Sequence, residues 1–159
     1  MKKIILFISI FGVIYCNPFS EKTKSMTKMD GYLNMYWDNN SGKLWLEISD
    51  FDQEFLYVNS LMAGMGSNDV GLDRGQLGNS RIVYFHRIGP KILLIQPNYR
   101  YRANTDDEKE KASVADGFAK STIWGFKVAE EKNGSVLVDA TDFFLNDAHG
   151  IVDKLKRQK

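Results

Sequence analysis

Arg81-Ile82-Val83-Tyr84-Phe85-His86-Arg87 and Lys91-Ile92-Leu93-Leu94-Ile95-Gln96, separated by Ile88-Gly89-Pro90, decide the class of fold. Both runs are short and rich in β-branched and aromatic residues, so they read as strands. Gly89-Pro90 is a turn dipeptide that brings the second strand back beside the first. The same pattern recurs on either side. Tyr32 to Trp37 and Leu44 to Ile48 are strands flanking Asp38-Asn39-Asn40-Ser41-Gly42, whose residue types tolerate positive φ and close a hairpin. Leu44, Leu46 and Ile48 share one face of their strand, and Trp45 and Glu47 the other. Phe55 to Asn59 is a third strand. Further on, Ser121 to Ala129 and Ser135 to Ala140 are joined by Lys132-Asn133-Gly134, and Asn-Gly is a strong hairpin signal. Tyr99 to Ala103 alternates aromatic and basic residues and reads as one more short strand.

Two segments break the pattern. Thr105-Asp106-Asp107-Glu108 starts a helix that runs to about Ala115 and stops at Asp116-Gly117. Thr105 is the expected cap and Glu108 its capping-box partner. After Asp142 the chain turns helical again and ends in basic residues. No βαβ alternation is present, which excludes a doubly wound parallel sheet. The expectation is a mainly β protein built on an antiparallel sheet, either a sandwich or open and barrel-like, with one short inserted helix and a C-terminal helix. Residues 30–159 form its single domain, truncated at its C-terminal end, and residues 17–29 form a polar lead-in.

Residues 1–16 read as a signal peptide. Lys2 and Lys3 precede the uncharged run Ile4 to Tyr15, which is too short to span a bilayer core needing about 20 residues. Cys16 is the small residue at the cleavage point. Lipidation of Cys16 is the competing reading, opposed by Tyr15 where a small residue is normally needed, and an uncleaved anchor is the third. The expected location is therefore outside the cytosol, as a secreted, periplasmic or envelope protein with no stable span after cleavage. Lys and Arg total 21 against 20 Asp and Glu, so no excess positive field exists to hold a phosphate backbone. Nucleic acid is not expected as a partner. The single cysteine lies in the leader, which leaves the domain without a disulfide.

Chemistry-bearing residues are sparse. His86 lies on the face of its strand opposite Phe85 and reads as a strand-surface histidine. His149 has Asp147 nearby, but no nucleophile or oxyanion site accompanies them, and a helix-boundary role is favoured over a small hydrolase. Two isolated histidines do not make a zinc site. Asp139-Ala140-Thr141-Asp142 offers oxygen ligands for calcium, yet Thr141 or Asp142 is more simply a helix cap. The glycine-rich loop 63–78 lacks both phosphate-cradle spacings. It reads as a shaped interaction loop with Asp73, Arg74 and Gln76 as its polar contacts. Tyr99-Arg100-Tyr101-Arg102 offers too little for base stacking at neutral net charge. Asn39 and Asn133 head glycosylation sequons, relevant only in a eukaryotic source.

Several phrases, taken in order, carry a resemblance: Leu44-Trp45-Leu46-Glu47-Ile48, Gly71-Leu72-Asp73-Arg74-Gly75-Gln76-Leu77-Gly78, Ile92 through Arg102, Phe118-Ala119-Lys120-Ser121 with Trp124-Gly125-Phe126, and Val138 through Phe143 with Asp147-Ala148-His149-Gly150. Together they resemble the amino-terminal, non-catalytic region of large secreted zinc-dependent metallopeptidases of metzincin-like type. In that family the region consists of domains of unknown function ahead of the protease domain. The similarity runs from about Asp30 to Leu155. It implies a zinc-binding His-Glu-x-x-His-x-x-Gly-x-x-His far downstream, where the glutamate activates the metal-bound water. None of those positions exists here, so no catalytic residue, cofactor or metal ligand is assigned to this chain. The expected role is that of an accessory domain that packs on the peptidase domain, assists its folding or recognises substrate. The alternative is a stand-alone secreted protein-binding module that uses the loop 63–78.

Overall fold

The computed structural model describes residues 19–64 and 71–157. The signal-peptide reading, Cys16 included, lies outside the described residues, as does the middle of the glycine-rich loop. Among the described residues eight strands follow in chain order: β1 (Thr27–Met29), β2 (Met35–Asp38), β3 (Lys43–Ile48), β4 (Phe55–Tyr57), β5 (Arg81–Ile88), β6 (Lys91–Gln96), β7 (Ser121–Lys132) and β8 (Ser135–Asp139). They form one sheet in the order β1-β2-β3-β8-β7-β6-β5-β4, every neighbouring pair antiparallel. Among the described residues four helices accompany it: α1 (Ser20–Thr23), α2 (Glu108–Gly117), α3 (Thr141–Phe144) and α4 (Ile151–Arg157). The protein is mainly β, as the alternating pattern requires.

Local chemistry accounts for the hairpins. In the Gly89-Pro90 turn Gly89 takes φ +54, and Ile88 pairs with Lys91. A glycine at the first central position is what a tight hairpin of this kind needs. Asn133 and Gly134 both take positive φ, at 53° and 80°, between β7 and β8. In the β2–β3 turn the Asp38 carboxylate accepts from the Asn40 amide and the Ser41 hydroxyl, which lowers the Asp38 pKa.

β7 is the organising strand. Its first half pairs with β6, from Ser121 opposite Gln96 to Lys127 opposite Lys91. Its second half pairs with β8, from Val128 opposite Val138 to Lys132 opposite Ser135, with a bulge between Val128 and Glu130. A bulged strand that changes partners turns a sheet over on itself. The sheet curls accordingly, and Tyr32, just before β2, meets Phe55 of β4 with ring centroids 5.6 Å apart.

Inside the curl lie Leu46 and Ile48 of β3, Val136 and Val138 of β8, Phe126 of β7, and Val83 and Phe85 of β5, all buried in one cluster. Phe143 of α3 plugs this interior against Tyr57, Trp124 and Phe126 at 5.5–5.8 Å. On the outer face Phe19, Tyr36 and Leu137 form a second buried cluster. The Tyr36 hydroxyl there donates to the buried carboxylate of Glu47 at 2.6 Å. The lead-in is thus not merely polar from Phe19 onward: it supplies α1, the edge strand β1 and one fully buried aromatic ring.

Three local expectations are corrected. Tyr99 to Ala103 is not a strand. Asn98 Oδ1 accepts from the Arg100 amide, a turn-forming bond that bends the chain, and Arg102 folds back over the Tyr99 ring. The cap of α2 is Asp107, whose carboxylate accepts from the Lys109 amide, while Thr105 accepts from the Asp107 amide. Ahead of α3 neither Thr141 nor Asp142 caps. Asp139 accepts from the Thr141 amide and hydroxyl instead, and the Thr141 oxygen accepts from the Leu44 amide of β3.

Candidate functional site

The return arm of the glycine-rich loop is an ordered structure built on β-type pairing. Ser60 bridges Leu77, the Leu61 amide donates to Gln76 O, and the Gly75 amide donates to Leu61 O. Leu72 within the arm is buried, at 1% exposure. Gly78 packs so closely on Asn59 that a Cβ would lie 2.3 Å from its side-chain oxygen. Gln76 closes the turn by accepting from the Asp73 amide, so its side chain is partly spent on the loop's own geometry. Asp73 and Arg74 are exposed on the arm.

The two histidines have different partners. His149 Nε2 lies 3.1 Å from Asn59 Nδ2 and holds the segment before α4 against the end of β4. Asp147 does not orient it. Its two carboxylate oxygens accept from the amides of Ile151 and Val152 at the start of α4, and these bonds lower its pKa. The carboxylate is engaged as a helix cap, which favours the helix-boundary reading over the hydrolase pairing of His149 with Asp147. His86 Nδ1 meets Asp52 Oδ1 at 2.6 Å. Asp139, a possible calcium ligand by sequence, is engaged by Lys43 at 2.8 Å and by Thr141. Burial opposes its ionisation, but those two partners outweigh it and hold its pKa below the usual value.

The most distinctive surface was not singled out in the sequence. At one end of the sheet, the segment after β4 and the α3–α4 segment enclose a shallow groove of about 770 Å3. Around it Met62 is 90% exposed, Leu145 73% and Val152 52%, with Phe144 and Val58 also open to solvent. Scattered exposed apolar side chains are ordinary, whereas a contiguous cluster marks an interaction surface. The periodicity gave no warning, because these residues lie mainly in connections and short helices.

Residues 75–159, just over half of the chain, match the family described as Domain of unknown function (DUF5117). The chain belongs to the DUF5117 family. Residues 16–64 match a second one, Domain of unknown function (DUF5118). No curated protein and no solved structure matches the chain. The DUF5118 segment supplies β1 to β4 and the DUF5117 segment β5 to α4. The strand ladders ignore that boundary. β3 pairs with β8 over four residue pairs, and β4 with β5 over three. Among the described residues no group of side chains is arranged to hold a metal ion, and no helix is long and apolar enough to cross a membrane.

Proposed function

We propose that this chain is the exported, non-catalytic front portion of a zinc-dependent metallopeptidase, and that it works by packing on the metallopeptidase domain. The observation that carries this reading is the apolar surface of Val58, Met62, Phe144, Leu145 and Val152. Fully covering a large apolar side chain contributes about 1.5–3 kcal/mol. The exposed parts of these five amount to about three whole side chains, so covering them would contribute roughly 4–9 kcal/mol, no more than the cost of association for a free partner, roughly 4–15 kcal/mol. A surface of this strength suits a partner held close by covalent connection, for which most of that cost disappears. Export rests on Lys2, Lys3 and the apolar run Ile4 to Tyr15. Zinc belongs to the partner domain in this reading, and the chain supplies no ligand to it.

The test supplies, as a separate polypeptide, the metallopeptidase domain that this reading expects downstream. Association should be lost in the double variant Met62→Glu, Leu145→Glu while the variant keeps its cooperative unfolding. Association that survives both charges, or a reading frame that never reaches His-Glu-x-x-His-x-x-Gly-x-x-His, overturns the proposal.

A second reading, a free-standing secreted binding module, is favoured by one feature. Asp73 and Arg74 are exposed on an arm held by two backbone bonds to Leu61. Here Asp73→Ala with Arg74→Ala should abolish capture of a protein partner and leave the fold intact. Unchanged capture counts against this loop.

A further inference from the structure

A second groove, of about 610 Å3, lies between residues 97–103, α2 and the segment before β4. Its size falls within the ~300–1,000 Å3 range of small-molecule sites. Tyr84 of β5 lines it and is almost fully buried, while Tyr99, Tyr101 and Phe118 remain 45%, 44% and 40% exposed. Tyr101 and Phe118 stack with centroids 4.0 Å apart at 11°, so each covers one face of the other. The Arg100 guanidinium lies over the Tyr101 ring at 5.7 Å, and the ring surface left to a ligand is the outer part of this stack. Polar tips are held in place around it. Glu54 accepts from the Tyr99 hydroxyl, which raises the Tyr99 pKa, and Lys120 donates to the Tyr84 hydroxyl at 3.1 Å. Asp52 bonds His86 and takes φ +58, and its amide donates to Phe85 O at 2.8 Å. A non-glycine residue in that region is uncommon, and such strain collects where a side chain must be aimed.

We infer that this groove binds a short neutral saccharide. Two carboxylates, Asp52 and Glu54, face three cations, Arg102, Lys111 and Lys120, and Lys111 is already paired with Glu108 at 2.8 Å. The remaining charges balance, so an anion or a cation would be attracted by one wall and repelled by the other. A sugar ring is uncharged, lays its C–H face against an exposed aromatic ring, and uses each hydroxyl as donor and acceptor at once. Carboxylates, ammonium groups and phenols at fixed positions answer that demand. An extended peptide would instead seek an open strand edge, and the edge beside Tyr84 is taken at Phe85 by the Asp52 amide. This inference does not depend on the packing surface around Met62, which involves other residues.

The experiment is saturation-transfer NMR followed by titration calorimetry on the full chain, with maltotriose, xylotriose, mannotriose and N-acetylchitotriose as probes and the tripeptide Lys-Trp-Glu as competitor class. At least one trisaccharide should bind with a millimolar or tighter Kd. Tyr101→Ala should weaken that binding about tenfold or more, a loss of about 1.4 kcal/mol. Tyr101→Trp should retain it, Asp52→Asn should weaken it, and Met62→Glu with Leu145→Glu should leave it unchanged. Should Tyr101→Ala fail to fold, Tyr99→Phe removes only the hydroxyl that reaches Glu54 and must weaken binding in its place. Absence of transfer from all four sugars, binding indifferent to these groove variants, or preference for the tripeptide overturns the inference.

Discussion

Producing residues 19–64 and 71–157 as separate polypeptides should yield two unfolded chains that regain the native sheet only when mixed. The break falls between the two family segments, yet it severs the β3–β8 and β4–β5 ladders. Tyr36, Leu46 and Ile48 on one side, and Val136, Leu137 and Val138 on the other, are all at most 2% exposed. At about 1.5–3 kcal/mol each, these six side chains represent roughly 9–18 kcal/mol of burial. If half of that covering comes from across the break, roughly 5–9 kcal/mol is lost, as much as the ~5–15 kcal/mol that holds an ordinary domain together. The longer piece would also bare Val136-Leu137-Val138, buried on both faces in the intact sheet, as a naked apolar edge that invites aggregation. Amide-proton NMR and circular dichroism of each piece, alone and mixed, read the outcome. A dispersed spectrum and a cooperative melt from residues 71–157 alone, close to the intact chain's, would refute the reasoning.

Three further perturbations follow from the packing. Phe143→Ala removes the plug that touches Tyr57, Trp124 and Phe126, and should cost about 3–5 kcal/mol in urea denaturation. Gly134→Ala places a Cβ at φ +80 in the β7–β8 turn and should cost roughly 1–2 kcal/mol by the same assay, with no loss of a contact. Asp139 has a folded pKa below its ordinary 3.8, so its contribution is fully present above that value and is lost as pH falls through the depressed one. Lys43, its partner, has a pKa raised above 10.5, so the pair also weakens as pH rises beyond that. Melting temperature against pH should therefore fall less steeply below pH 4 in Asp139→Asn than in the parent chain. Parallel acid limbs would show that the Lys43–Asp139 contact is not linked to folding.

Strands were legible wherever alternation and turn chemistry agreed. Lys91–Gln96 coincides with its observed limits, and Asn133-Gly134 closes its hairpin with both residues at positive φ. Sequence pattern failed where side-chain bonding competed with it. Tyr99-Arg100-Tyr101-Arg102 has the alternation of a strand, but a strand would place Tyr99 and Arg102 on opposite faces. The Asn98 turn instead lets the guanidinium reach the Tyr99 ring. The favoured helix-boundary reading of the Asp147–His149 stretch fits the same kind of local bonding, since two backbone amides at the start of α4 take the Asp147 carboxylate. Neither proposed surface could be read from spacing. Asp52 and Tyr101, or Met62 and Leu145, are brought to one place only by the curl of the sheet and by connections that carry no period.

Both surfaces also draw on both family segments. Val58 and Met62 come from the DUF5118 segment, and Phe144, Leu145 and Val152 from the DUF5117 segment. Asp52 and Glu54 likewise face Tyr84, Tyr101 and Phe118 across the same divide. β4, only three residues long, has a single ladder partner, β5, and both surfaces involve residues within four positions of it. A substitution that loosens β4 should therefore disturb both surfaces together, although they share no residue. Phe55 is the place to act, because its ring packs on both Tyr32 and Phe85. Phe55→Ala should weaken trisaccharide binding and association with the metallopeptidase domain in the same variant, with the sheet still folded by circular dichroism. Loss of one without the other would mean that the surfaces are positioned independently and that β4 is not their common support.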